Sequence, residues 1–455
     1  MVNNSAIYNE TDLSVTDDLS CRSSIYGFNS TSEGTKHTKD GEFLWTPATQ
    51  GIILGSFYYG YCCFQIIGGR LAEIYSGKLV FAVGTFLASI MAILTPLAAW
   101  HSVTAIVLVR VLQGVSQSAM LPSLYTVFSN WFPDFERGTL GAVVGSGLSI
   151  GTLTGMSISG LLCNSDLFNG WPSVFYLFGF LNCLMAIFWC MLVTNSPTTH
   201  PLITENELKY IISNQRSDMN TQVPPLPWLK VLTSIPFIAL IITQVGSEWG
   251  LYIILNDLPT FFATILHFDI EKNGILSSIP FPIKAVIAIT VGFTSNLLLR
   301  KGYATVNFIR KFCTVFPFLW FSAGLVGVCL AGCNAVLSTI FFICSVPIIG
   351  FAVCGYNINH LDLSPEYAGT LYGISNTFSS MMGFLAPMFV GYITNEHQSF
   401  QEWYTVFGTV IAVLLFSSVI FSVFGSTKKQ NWIDTEPEVK AIKQTLICYN
   451  TLKQT

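Results

Sequence analysis

Charge is what this chain has least of. Of its 455 residues only 10% are charged, 21 Lys and Arg against 25 Asp and Glu, where a soluble domain carries about 25%. A surface so poor in charge cannot face water over most of its area. A net charge of −4 offers no basic groove, so nucleic acid is excluded as a partner. Histidine is scarce, at six residues. No His, Cys, Asp or Glu cluster has metal-ligand spacing, so neither a metal nor another cofactor is expected. No nucleophile–base–acid set and no phosphate loop is found, and the chain reads as a non-enzyme. The twelve cysteines form no disulfide framework. Most of them, among them Cys62, Cys63, Cys183, Cys190 and Cys354, lie inside apolar runs and read as small apolar filler.

What is abundant is apolar length. Hydrophobic residues make up 51% and aromatic residues 14%, and about 20 apolar residues cross a bilayer core. The runs predict an all-α, multi-pass membrane protein with spans at about 48–68, 79–99, 103–128, 138–163, 171–194, 234–263, 275–299, 312–332, 336–358, 369–394 and 403–425. Five spans (48–194) and six spans (234–425) form two helix bundles. Between them lies a polar linker, 195–233, with an amphipathic helix around Glu205 to Ile212. A tail of 1–47 precedes the bundles and a tail of 426–455 follows them.

Sequons at Asn3, Asn9 and Asn29 all precede the first span, which places the first tail outside the cytosol if they are used. That orientation sorts the basic residues cleanly. Fifteen of the 21 fall on the cytosolic side, Arg70, Lys78, Arg137, Lys209, Arg216, Lys230, Arg300, Lys301, Arg310, Lys311 and five in the last tail; the opposite loops between spans receive only Lys272. This is a positive-inside distribution with a cytoplasmic C-terminus.

An internal repeat is offset. "PDFERGTLGAV" (133–143) follows the third span, whereas its counterpart "PEYAGTLYGI" (365–374) follows the ninth and leads into the tenth. Basic loops follow the first span (Arg70, Lys78) and the seventh (Arg300 to Lys311). Features of the first half come one span early, as expected of two six-helix repeats from which the first helix is absent. Repeated halves around a midplane site suit a secondary transporter.

Several stretches carry a resemblance. "GGRLAEIYSGK" (68–78) resembles the loop signature of the major facilitator superfamily, with Glu73 where an aspartate is usual. "WPSVFYLFG" (171–179), "SPTTHPLITENELKYI" (196–211), "NDLPTFFATILHFDIEKNGILSSIPF" (256–281), "GYNINHLDLSPEYAGTLYGISNTF" (355–378) and "FGSTKKQNW" (424–432) are similar to solute carrier family 17. That family comprises sodium–phosphate cotransporters, vesicular glutamate transporters and sialin. The likeness runs from about Thr46 to Trp432. It implies alternating-access transport of phosphate or organic anions, driven by sodium, protons or membrane potential according to the branch. The proton-linked branch has a glutamate where this chain has Gln117, and some relatives have a histidine at the position of Leu54. The glutamate branch has an arginine near Ser247. Glutamate specificity and proton coupling at position 117 are therefore not implied.

Arg110 is the leading site candidate. An arginine in mid-span costs at least about 2.5–3.5 kcal/mol, and its planar fork suits a carboxylate or phosphate. A structural pair with a carboxylate or with backbone carbonyls is the competing reading. Gln113 and Gln117 share its helical face and serve either the same solute or helix–helix contact. Tyr58 and Tyr59 line a central cavity or belong to an interfacial aromatic belt. Glu248 and Lys284, on consecutive spans, form an ion pair or a coupling site; Asp257 reads as a solvated or capping acid near the opposite end. Gly69, Arg70, Glu73, Gly77 and Lys78 make a cytoplasmic gate loop. His360 and Asp362 sit near the cytoplasmic mouth in a turn or gate. Gly147, Gly151, Gly155 and Ser159 form a small-residue seam for close helix packing.

The function expected is a secondary transporter of inorganic phosphate or small organic anions, with sodium or protons as possible coupling ions. Its partners are the small anion and the lipid bilayer of a plasma or vesicular/lysosomal membrane; no oligomeric state is implied. A truncated, non-transporting membrane protein that regulates full-length relatives is the alternative expectation. At least one of Asn3, Asn9 and Asn29 is expected to carry glycan in the expressed protein. A glycosidase-induced shift on a gel should vanish in the triple Asn→Gln variant, and a shift that survives would contradict the placement.

Overall fold

The computed structural model describes residues 42–163, 165, 167–215, 225–266, 276–394, 400–430 and 432. The three sequon asparagines, Arg216 and Lys272 lie outside them. Among the described residues, eleven helices are long and apolar enough to cross a bilayer: α1 Thr49–Ile74, α2 Gly77–His101, α3 Val103–Trp131, α4 Arg137–Cys163, α5 Trp171–Leu192, α6 Ile235–Leu258, α7 Leu276–Arg300, α8 Val306–Ala331, α9 Ala335–Leu363, α10 Pro365–Thr394 and α11 Phe400–Phe424. The chain is a multi-pass membrane protein. The linker helix runs Glu205–Ser213, close to its expected place.

Short connections work here because side chains cap the helix starts. Ser76 accepts from the Leu79 amide at 3.3 Å and Ser102 from the Ala105 amide at 3.1 Å, so α1–α2 and α2–α3 turn within a few residues. Thr305 and Asn334 cap α8 and α9 in the same way. Four spans are interrupted, among them α7, whose helix breaks at Ile279 just before Pro280. α3 breaks at Ala119, one turn before Pro122; α10 breaks at Met381; and α9 passes through a 3-10 stretch at Val346–Val353 that contains Pro347. A proline removes the amide that would continue the helix, and the loss is tolerated where neighbouring helices cover the backbone.

The largest apolar core belongs to the C-terminal half, with Phe237, Phe261, Phe321, Phe342, Trp403 and Phe407 fully buried. In the N-terminal half α1 and α3 are brought together by glycine. A Cβ at Gly60 would stand 2.1 Å from the Val111 carbonyl oxygen, and one at Gly114 would stand 2.1 Å from that of Phe57. Only a bare backbone allows that crossing.

Three expectations need correction. The Gly147, Gly151, Gly155 stripe packs against nothing: an added Cβ at each meets open space. A four-residue repeat drifts about 40° per step around a helix of 3.6 residues per turn, so the stripe leaves the interface. The buried face of α4 is set by Gly138, Gly141, Ala142 and Ser149 instead. There Gly141 meets Ile358 and Ala142 meets Gly292, and Thr139 Oγ1 donates to the Gly292 carbonyl at 2.7 Å. Second, the gate "loop" is mostly helix. Gly69, Arg70 and Glu73 lie in the last turns of α1, while Gly77 and Lys78 begin α2. Third, nine described cysteines are free, but Cys333, at the α8–α9 turn, is disulfide-bonded.

Gly114→Ala should lower the thermal midpoint of the detergent-purified protein, because overpacking of this kind costs about 1–3 kcal/mol. Gly151→Ala should leave it unchanged or raise it slightly, since alanine favours helix by up to about 1 kcal/mol. Equal effects at the two sites would contradict the packing described.

Candidate functional site

Arg110 lies on α3 one turn before the Gly114 crossing. Its Nη1 donates to Gln113 Oε1 at 3.3 Å, and its guanidinium carbon sits 5.6 Å from the centroid of the Phe175 ring on α5. Nε is buried without a hydrogen-bond partner. Among the described residues no carboxylate pairs with it. Gln113 thus joins Arg110, whereas Gln117, also half-buried, makes no hydrogen bond to a described residue.

The two tyrosines part company. Tyr58 lies at the seam between the halves, packed on Gly383 of α10 and edge-on to Tyr252 of α6 at 6.0 Å. Tyr59 is 53% exposed and its ring stands 5.9 Å from that of Phe384 of α10. Leu54 is 66% exposed.

On the C-terminal half, Glu248 and Lys284 lie within electrostatic reach of each other but form no direct ion pair. Both are half-buried. Asp257, near the far end of α6, has one carboxylate oxygen buried without a partner, which a fully solvated acid would not have.

The strongest polar structure was missed by sequence reading. Arg137 and Arg310, counted as loop charges, are 1% and 2% exposed. Arg310 Nε donates to Asp362 Oδ2 at 2.7 Å and Nη1 to the Cys354 carbonyl at 2.9 Å. Arg137, from the other half, donates to the Leu361 carbonyl at 3.1 Å and stands 3.8 Å from Asp362 and 2.8 Å from Asp134. Two aspartates thus balance two arginines, which a desolvated cluster requires. His360, fully buried, stands 2.8 Å from Ser375 Oγ and 3.0 Å from the Asn357 carbonyl. Neither His360 nor Asp362 lines an open mouth. The nearness of an arginine at 310 to an aspartate at 362 has no local signal, since it depends on how α8 packs on α9.

At the same end Glu73 reaches across the halves. Its two oxygens accept from the Thr370 amide and Thr370 Oγ1, both at 2.6 Å, and from Arg70 at 3.1 Å. Glu73 is 1% exposed. Gly69 faces the Gly369 carbonyl, where a Cβ would stand at 2.4 Å. Tyr125 donates to the Asn357 carbonyl at 2.9 Å. Outside the spans Arg300 pairs with Glu136, and Tyr210 of the linker helix donates to Glu136 at 2.9 Å. That hydrogen bond pushes the Tyr210 phenol above its ordinary pKa, so it stays protonated and a donor.

Nearer the middle, Asn376 donates to Gln65 Oε1 at 2.7 Å, and Gln65 to Ser380 at 3.0 Å. Beyond that level, toward the opposite end, the Tyr58 and Tyr59 rings stand against Tyr252 and Phe384, and Met156 of α4 lines a small cavity together with Ile254, Leu258 and Phe281. Polar contacts join the halves at one end, and aromatic and apolar side chains face each other toward the other.

A five-helix and a six-helix bundle joined by a linker, with polar contacts between them at one end, fit the architecture of an alternating-access carrier. The proton:xylose symporter XylE has the same fold, with a TM-score of 0.62 over 84% of this chain and 87% of that chain, at 14% identity. The Major Facilitator Superfamily pattern matches residues 24–387. Sialin of Ovis aries is 34% identical over 398 residues, 87% of this chain and 79% of that protein. Vesicular glutamate transporter 3 of Danio rerio is 33% identical over 89% of this chain and 68% of that protein. The chain belongs to the major facilitator superfamily and, within it, to solute carrier family 17.

Arg310→Ala strands Asp362 and should cost about 3–5 kcal/mol, seen as a large fall in thermal midpoint and in membrane abundance. Lys429→Ala, which removes a part-exposed partner of Glu366, should cost at most about 1 kcal/mol. A mild effect at Arg310 would contradict the buried network.

Proposed function

We propose that this transporter carries a small anion, inorganic phosphate or an organic carboxylate, by alternating access, with Arg110 as the anion's anchor. One observation carries the reading. Arg110 is a guanidinium in an apolar span whose contacts are one glutamine and one aromatic face, with Nε buried and unpartnered. A structural arginine is expected to have the company that Arg310 has. An arginine without a carboxylate is poised for an anion that arrives from outside. Gln113 holds the fork in place and shares the solute.

The Glu73–Thr370 and Arg137–Asp362–Arg310 contacts act as the gate at one end. Opening that end requires Glu73 to release the start of α10 while the apolar contacts near Met156 close the other. The names of the relatives include a vesicular glutamate transporter. This chain has Ser247 and Gln117 rather than charged groups at those positions, which favours a different anion or a different coupling. The basic residues gather at the gated end, which reads as cytoplasmic together with the C-terminus. Cys333 supports this. It is disulfide-bonded at the far end, and such bonds persist in oxidising compartments. A plasma membrane or a vesicular or lysosomal membrane satisfies that condition.

Uptake of labelled phosphate and glutamate into vesicles, under imposed sodium, proton and potential gradients, tests the class. Arg110→Ala should abolish uptake while membrane abundance stays near normal, because removing an unpaired intramembrane charge strands no partner. Arg110→Lys keeps the charge but loses the fork, so affinity should fall at least tenfold. Normal uptake by Arg110→Ala would end the anchor reading.

A further inference from the structure

Among the described residues of the spans, six acids occur: Glu73, Glu248, Asp257, Asp362, Glu366 and Glu402. Glu73 is held by Thr370 and Arg70, Asp362 by two arginines, and Glu366 by Lys429. Glu402 also has a partner. Two remain without a hydrogen bond or a direct ion pair to a described residue, Glu248 and Asp257, and only Glu248 has a cation in reach.

The placement of Glu248 follows from its neighbours on α6. Gly246 is pressed against Ser417 of α11, and Gly250 against Val410 of α11 and Phe321 of α8. Glu248 is two residues from each, about 200° around the helix, and so turns away from that packed face. The groups in electrostatic reach of it are Tyr58 and Tyr61 of α1, Tyr252 of α6, Lys284 of α7, Tyr356 of α9 and Tyr372 of α10. A carboxylate and an ammonium therefore face the seam between the halves inside a ring of phenols. They influence each other without closing into a salt bridge.

We propose that Glu248 is the proton-coupling group of the carrier, held beside Lys284 so that proton and anion favour each other's arrival. The inference rests on the anion-carrier reading. With Glu248 ionised, it and Lys284 cancel. When a solvent proton neutralises the Glu248 carboxylate, Lys284 is uncompensated and the seam gains one positive charge. An anion drawn to Lys284 replaces the carboxylate as its counter-charge, and by linkage its binding raises proton affinity at Glu248 by the same factor. Gln117 takes no part, because an amide does not titrate.

The test needs two readouts on the purified full-length protein. In pH-difference infrared spectra, wild type should show a protonated-carboxyl C=O band that Glu248→Gln removes and Asp257→Asn retains. This arm does not depend on any transported solute, and a band that survives Glu248→Gln overturns the proposal. In proteoliposomes, an inward proton gradient should accelerate uptake of labelled phosphate or glutamate by wild type and by Asp257→Asn at least tenfold over no gradient. Glu248→Gln should exchange the same anion across the membrane yet gain less than twofold from the gradient. Full proton drive in Glu248→Gln would refute the proposal even if the infrared band behaves as expected. If wild type carries neither phosphate nor glutamate while the infrared result holds, Glu248 is the titrating group and it is the anion-carrier reading that fails.

Discussion

A guanidinium in hydrocarbon has to be answered by something, and this chain answers it in two opposite ways. Arg137 and Arg310 are fully enclosed and held by carboxylates, Asp134 and Asp362, and by backbone carbonyls. Arg110 is given a glutamine, a ring and an unpartnered Nε. Desolvation penalises all three. The first two recover that penalty inside the protein and so hold elements together. The third has no carboxylate among the described residues, and on the proposed reading a solute supplies that charge. The two kinds lie on different helices, Arg110 on α3, Arg137 on α4 and Arg310 on α8.

The sealed end shows how a strong closure is kept reversible. Its contacts join the halves through charged and hydrogen-bonded groups of high directionality, Glu73 to Thr370 and Arg137 to the Leu361 carbonyl. Small misalignment breaks such bonds, whereas apolar contacts weaken gradually. Water entering the opening gap can take over the freed donors and acceptors.

Most of the architecture could be read from the sequence. Eleven apolar runs, the linker helix and the offset repeat depend on local pattern, which survives any packing. The errors arose where distance along the chain says nothing about distance in space. Arg310 falls four residues inside α8 because Thr305 caps the helix early, so a charge assigned to a loop became buried. The span at 336–358 extends to Leu363 through a 3-10 passage, carrying His360 and Asp362 into the interior. The glycine stripe on α4 has the right spacing and faces the wrong way. Glu248 and Lys284 were paired by their shared scarcity in the membrane, but the phenols that surround them come from three other helices as well as from α6 itself.

The linker helix is fastened unevenly. Asn214 accepts from the Asp134 amide and Gln215 donates to the Asn130 carbonyl, both in the first bundle. Toward the second bundle the described polar contact is Arg300 with Tyr210 and Glu136. When the bundles rock, the helix is therefore a passenger of the first, and Arg300 is the joint that slips. A protein or lipid headgroup that grips the exposed Glu205 and Lys209 would take hold of one bundle only. The linker then works as a handle on half of the machine rather than as a spring between its two parts.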